Sequence, residues 1–111
     1  MTKAWDIDLV RDVVVDGDEV RVSVVGELDA ASASRLQRSL DAAISVSAGA
    51  VVLDMSGVSF IDSTGLRVLV VLQQRLCAQR RLLTLGGVSV QTRRLLDISG
   101  LSTVFGVDRT R

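Results

Sequence analysis

The sequence predicts an α/β domain built on a largely parallel or mixed sheet. Three observations carry that prediction. Segments of strand-like hydropathy change place with segments of helical spacing along the chain. Val51-Val52-Leu53 is apolar on both faces, as a strand covered on both sides must be. At 111 residues and 48% hydrophobic content, with Val and Leu dominant, the chain has the size and aliphatic payload of one domain spanning residues 1–111.

Each element follows in order. Ile7 to Val15 reads as a first strand at a sheet edge, and Asp16-Gly17-Asp18 as its hairpin turn. Val20, Val22 and Val24 alternate with Arg21 and Ser23, and Val25-Gly26 completes a second strand. A helix beginning at Asp29 places Ala33, Leu36, Leu40 and Ala43-Ile44 three or four residues apart. Ala50 to Met55 is the central strand, after which Ser56-Gly57 reads as a turn and Phe60-Ile61 as a return to the core. Ser63 then falls where an N-cap serine belongs, opening the longest helix, to about Gln79. Its expected buried stripe is Leu66, Val70, Gln73 and Cys77, with Leu69 and Leu76 beside it. Leu82, Leu83 and Leu85 form the next strand, stopped by Gly86-Gly87. Val88 to Ile98 is a helix ending in a left-handed cap at Gly100 with a contact from Leu101, and Val104-Phe105 adds a last short strand.

Composition excludes several functions. Thirteen basic residues balance thirteen acidic ones, so a nucleic-acid partner is not expected. The chain has no histidine, which removes Ser–His and Cys–His nucleophile pairs and imidazole metal sites. The one cysteine, Cys77, reads as a small core hydrophobe. Neither Gly57 nor Gly86-Gly87 forms a phosphate-binding signature, so no enzyme activity, metal or cofactor is expected. Asp6, Asp8 and Asp12 interrupt any apolar leader, and no run approaches the ~20 apolar residues of a membrane helix, so a cytoplasmic protein is expected.

The chemistry concentrates in Asp54-Met55-Ser56-Gly57-Val58-Ser59-Phe60-Ile61-Asp62-Ser63-Thr64-Gly65-Leu66. This stretch resembles the signature of the STAS domain in its stand-alone anti-sigma factor antagonist form. Gly26-Glu27-Leu28-Asp29 and Leu95-Leu96-Asp97-Ile98-Ser99-Gly100-Leu101 with Phe105 are similar to the family in the same order, from about Val20 to Phe105. The resemblance implies a small mixed sheet of four to five strands with helices packed mainly on one side. It also implies phosphorylation of Ser63 by an anti-sigma factor serine/threonine kinase, release of a sigma factor when that kinase is bound, and a phosphatase acting on phospho-Ser63.

For each site residue a plainer role stands beside the functional one. Ser63 needs no function to be a helix cap, and Thr64 is the neighbouring, less favoured acceptor. Asp29 and Asp62 serve either as cap and loop residues or, with Asp54, as an acidic strand-end cluster beside Ser63 that a kinase recognises. Val68 and Val71 lie with Thr64 and Arg75 on the side of the helix opposite the expected stripe. They are either covered by another element or form a docking stripe. A phosphate on Ser63 would add about −1.5 to −2 charges, which free helix N–H groups tolerate locally and a partner interface does not. Two other readings compete. One is a STAS subunit of a lipid-transport ATPase complex. The other is a receiver that takes phosphate on Asp54, which needs an early acidic pair and a late lysine; Val24-Val25 occupy the early strand end and the only lysine is Lys3.

Overall fold

The computed structural model describes residues 9–107, and Ile7 and Asp8 of the expected first strand lie outside them. Strands β1 (Val10–Asp16), β2 (Glu19–Leu28), β3 (Val51–Ile61), β4 (Leu83–Gly86) and β5 (Gly106–Val107) form one sheet in that order. β1 runs antiparallel to β2 and the remaining pairs are parallel, so the sheet is mixed. Helices α1 (Ala33–Ile44), α2 (Ser63–Ala78) and α3 (Val90–Ile98) fill the three crossovers. Right-handed crossovers that always step the same way along a sheet put every helix on one face. Along β2, β3 and β4 the inward set Val20, Val22, Val24, Val51, Leu53, Met55, Leu83 and Leu85 is buried. The other face carries Arg21, Ser23, Val52, Asp54 and Thr84, none of them buried, so the central strand is covered on one side and not on both as its apolar run suggested. Leu36 and Leu40 of α1, Leu66, Leu69, Leu72 and Leu76 of α2, and Leu96 of α3 complete a single core.

The sequence reading placed several features differently. Ser56-Gly57 is no turn: β3 runs straight through it for 11 residues. Against β2 the register jumps between Ser23/Val25 and again between Gly26/Glu27, so β3 carries two bulges. A glycine inside a strand marks such a bulge as readily as a turn. A Cβ on Gly57 would lie 2.7 Å from Val25 Cγ1 and 3.2 Å from the Val24 carbonyl oxygen, so any other residue there would push Val25 aside. Asp29 does not start α1, which begins at Ala33 after Ser32. Phe60 does not rejoin the core but stands 52% exposed, although Ile61 packs against it. Leu82 precedes β4 and is exposed, α3 starts at Val90 behind a Ser89 cap, and the last strand is Gly106–Val107.

The buried stripe of α2 is rotated from its expected phase. Gly65, Leu66, Leu69, Leu72 and Leu76 are buried, whereas Cys77 is exposed and Gln73 only half-buried. Val68, Val70, Val71 and Leu72 make this helix apolar most of the way round, so periodicity alone could not choose its inward face. Gly65 chooses it: an ideal Cβ there would sit 2.2 Å from the Leu28 carbonyl oxygen, so the first turn of α2 lies directly on the end of β2. The α3 terminus matches expectation. Gly100 has φ +72°, and the N–H groups of Gly100 and Leu101 donate to the Asp97 and Leu96 carbonyls at 3.2 and 2.8 Å.

Candidate functional site: the β3–α2 junction

At the junction the N-cap is Asp62 and not Ser63. Asp62 adopts extended backbone, and its Oδ1 accepts from the N–H groups of Thr64 and Gly65 at 2.9 and 3.0 Å. Its carbonyl accepts from Leu66 N–H at 2.9 Å, and its own N–H donates to the Leu28 carbonyl at 3.1 Å. An aspartate followed by small residues is a preferred opening for a helix, because the carboxylate satisfies amides that have no intrahelical partner. The loop role held open for Asp62 is therefore real, and it displaces Ser63 by one position into the helix. Ser63 is exposed, and its hydroxyl has no hydrogen-bond partner among the described residues. Asp62 already occupies the first-turn donors at Thr64 and Gly65, which corrects the expectation that those amides would receive a phosphate.

The acidic residues separate. Leu28 pairs with Ile61, so Asp29 and Asp62 leave adjacent strand ends. Asp29 Oδ1 accepts from Ser32 N–H at 3.1 Å while Ser32 Oγ accepts from Asp29 N–H at 3.0 Å, and the Ser32 hydroxyl donates to the Glu27 carbonyl at 2.6 Å. Asp29 thus locks the turn between β2 and α1 from outside the helix, instead of capping it. Asp54 is not near Ser63. It pairs with Ser23 and Gly86 in the middle of the open sheet face, eight residues before Asp62, or roughly 20–25 Å away at the rise of an extended strand. There its Oδ1 accepts from Ser56 N–H at 3.0 Å, beside a shallow groove of about 580 Å³ that includes Arg21 and Thr84. The expectation of a three-acid cluster thus reduces to Asp29 and Asp62.

Thr64 is half-buried, and Val68 and Val71 face α1 across a seam that includes Gln37, Leu40 and Asp41. Arg75 closes that seam with a 2.7 Å ion pair to Asp41. Of the two readings for this stripe, cover by another element holds for Val68, which packs on the core; Val71 stays 36% exposed. Sequence reasoning missed Phe60. Its exposed ring borders a groove of about 210 Å³ with Val58, Ser59, Ile61, Ser89, Gln91 and Thr92, three residues before Ser63. A bulge opposite Glu27 breaks the inward–outward alternation just before it, and no sequence signal marks a bulge there.

The same fold recurs in known proteins. The STAS domain family model matches residues 10–111. The chain belongs to the STAS domain family. Anti-sigma-B factor antagonists of Listeria monocytogenes and Listeria innocua are each 36% identical to it over 93 residues, which is 83% of this chain and 81% of each relative. The crystal structure of an anti-sigma factor antagonist from Mycobacterium paratuberculosis matches with a TM-score of 0.77 and 25% identity, covering 99% of this chain and 92% of that one. A sulfate transporter family protein from Wolinella succinogenes matches with a TM-score of 0.70 and 26% identity, over 85% of this chain and 79% of that one. The STAS fold therefore serves more than one kind of protein. Among the described residues of this STAS domain, no group of three or more Cys, Asp or Glu side chains could hold a metal, and no helix is long and apolar enough to cross a membrane.

Proposed function

We propose that this STAS domain is a cytoplasmic anti-sigma factor antagonist. It binds an anti-sigma factor serine/threonine kinase and so releases a sigma factor, until phosphorylation of Ser63 switches it off; a phosphatase acting on phospho-Ser63 resets it. The observation that carries this reading is the exposed Ser63 hydroxyl, presented without a hydrogen-bond partner behind the Asp62 cap. The identity to two anti-sigma-B factor antagonists over most of the chain favours it over a transporter-associated role.

The contact surface centres on Ser63, with Thr64, Asp29, Asp62 and the exposed part of Val71 around it. Val68 supports that surface from the seam with α1, and Asp54 lies outside it. Phosphate at Ser63 displaces no buried group of the fold, because this residue is exposed and the cap is Asp62. In the complex the same charge would be buried against the partner next to two carboxylates. Each tenfold loss of affinity needs only about 1.4 kcal/mol, so one unpaired buried charge is enough to separate the complex. The test is incubation with ATP and the anti-sigma kinase, followed by peptide mass spectrometry. One phosphate on the Ser63 peptide, abolished by Ser63→Ala, is the expected result. Ser63→Asp binding the kinase as tightly as Ser63→Ala would refute the electrostatic switch.

A further inference from the structure

A phosphate on Ser63 would stand among acidic neighbours, and the amides of the helix terminus do little to offset them. The N–H groups of Thr64 and Gly65 donate to the Asp62 carboxylate and that of Asp62 to the Leu28 carbonyl, which leaves the Ser63 N–H alone in the first turn. The charged groups on the two adjoining strand ends are acidic: Asp62 directly before Ser63, Asp29 just beyond Leu28, and Glu27 opposite Phe60. Within one helical turn of Ser63 the sequence holds a single cation, Arg67. Arg67 is exposed and makes no ion pair or hydrogen bond among the described residues.

We infer that Arg67 is the phosphate-reading residue of the switch: its guanidinium pairs in cis with phosphate on Ser63. Residues four apart on a helix are surface neighbours, with Cβ atoms about 5–6 Å apart. The order of the pair, anion toward the N-terminus and cation one turn later, is the favourable one. The planar guanidinium suits two phosphate oxygens at once. The pair offsets the repulsion between phosphate and Asp62, which would otherwise loosen the cap. It thereby keeps α2 intact in the phosphorylated form. Arg67 is a positioning residue here, and its role rests on the proposed phosphorylation of Ser63.

The test uses the full chain with phosphoserine encoded at position 63 during translation, so it needs no kinase. The second ionisation of the phosphate, near pH 6 in free phosphoserine, is followed by phosphorus NMR at low salt. In the Arg67→Gln variant it should move up by about half a pH unit, with Arg67→Lys intermediate and the difference shrinking at 0.5 M salt. Arg67→Gln should also lower the melting temperature of the phosphorylated form by a few degrees while leaving the unmodified form unchanged. Equal titrations in the wild type and Arg67→Gln, both folded by circular dichroism, would overturn the pair and leave the switch standing. Failure of the kinase to label Ser63 would overturn the switch, and with it the reading role of Arg67, whatever the titrations show.

Discussion

Replacing Gly65 by alanine sets two opposed effects against each other. In an exposed helix, Gly→Ala is favourable by about 0.8–1 kcal/mol. Here the new Cβ would lie 2.2 Å from the Leu28 carbonyl oxygen, 2.7 Å from its carbon and 2.8 Å from Leu28 Cβ. An ordinary van der Waals contact of a Cβ is 3.4–4 Å, so the first turn of α2 must retreat from β2 by about 1 Å. Retreat strains the Asp62 N–H bond to the same carbonyl, now 3.1 Å, at a cost of about 1 kcal/mol. Overpacking adds about 1–3 kcal/mol. The net expectation is a loss of roughly 1–3 kcal/mol, a large part of the 5–15 kcal/mol typical of a domain. Urea unfolding followed by far-ultraviolet circular dichroism should show a lower midpoint with an unchanged slope. A Gly65→Ala protein as stable as the wild type would mean that helix propensity prevails, and would refute the close seating of α2 on β2 as the reason for this glycine.

Three further outcomes follow from the same geometry. Asp62→Ala removes the acceptor of two amides and should cost about 1–2 kcal/mol by thermal unfolding, whereas Ser63→Ala should change stability by less than about 0.5 kcal/mol. Arg80 holds φ +59° at the end of α2, where Arg80 N–H donates to the Cys77 carbonyl and Arg81 N–H to that of Leu76. Arg80→Gly should therefore stabilise the protein by about 0.5–1 kcal/mol in the same unfolding assay. Phe60→Ser should leave the melting temperature nearly unchanged but weaken the proposed kinase complex at least tenfold by calorimetry, since an exposed aromatic three residues before Ser63 is a fitting interface anchor.

Much of the architecture was legible because it rests on local pattern. The alternation of Val20, Val22 and Val24 located β2 and its inward face, and Gly100-Leu101 marked the end of α3. The site was legible in part. Asp62-Ser63-Thr64-Gly65 pointed to a helix start, but either of its first two side chains can cap, and the assignment turned on which residue is extended. Asp54 was misjudged because Ser56-Gly57 is as good a turn as it is a bulge, and reading it as a turn shortened β3 by half.

The chain's order of apolar runs, its glycines and its missing histidine thus determined, without coordinates, the α/β class, the sequence of elements and the absence of imidazole chemistry. These depend on residue identity and spacing within one element. The phase of α2, the exposure of Phe60 and Cys77, and the separation of Asp54 from Ser63 were decided by tertiary structure alone. Each depends on where the backbone of a second element passes. The Leu28 carbonyl under Gly65 and the bulges of β3 against β2 are contacts between residues far apart in the chain, and no local periodicity encodes them.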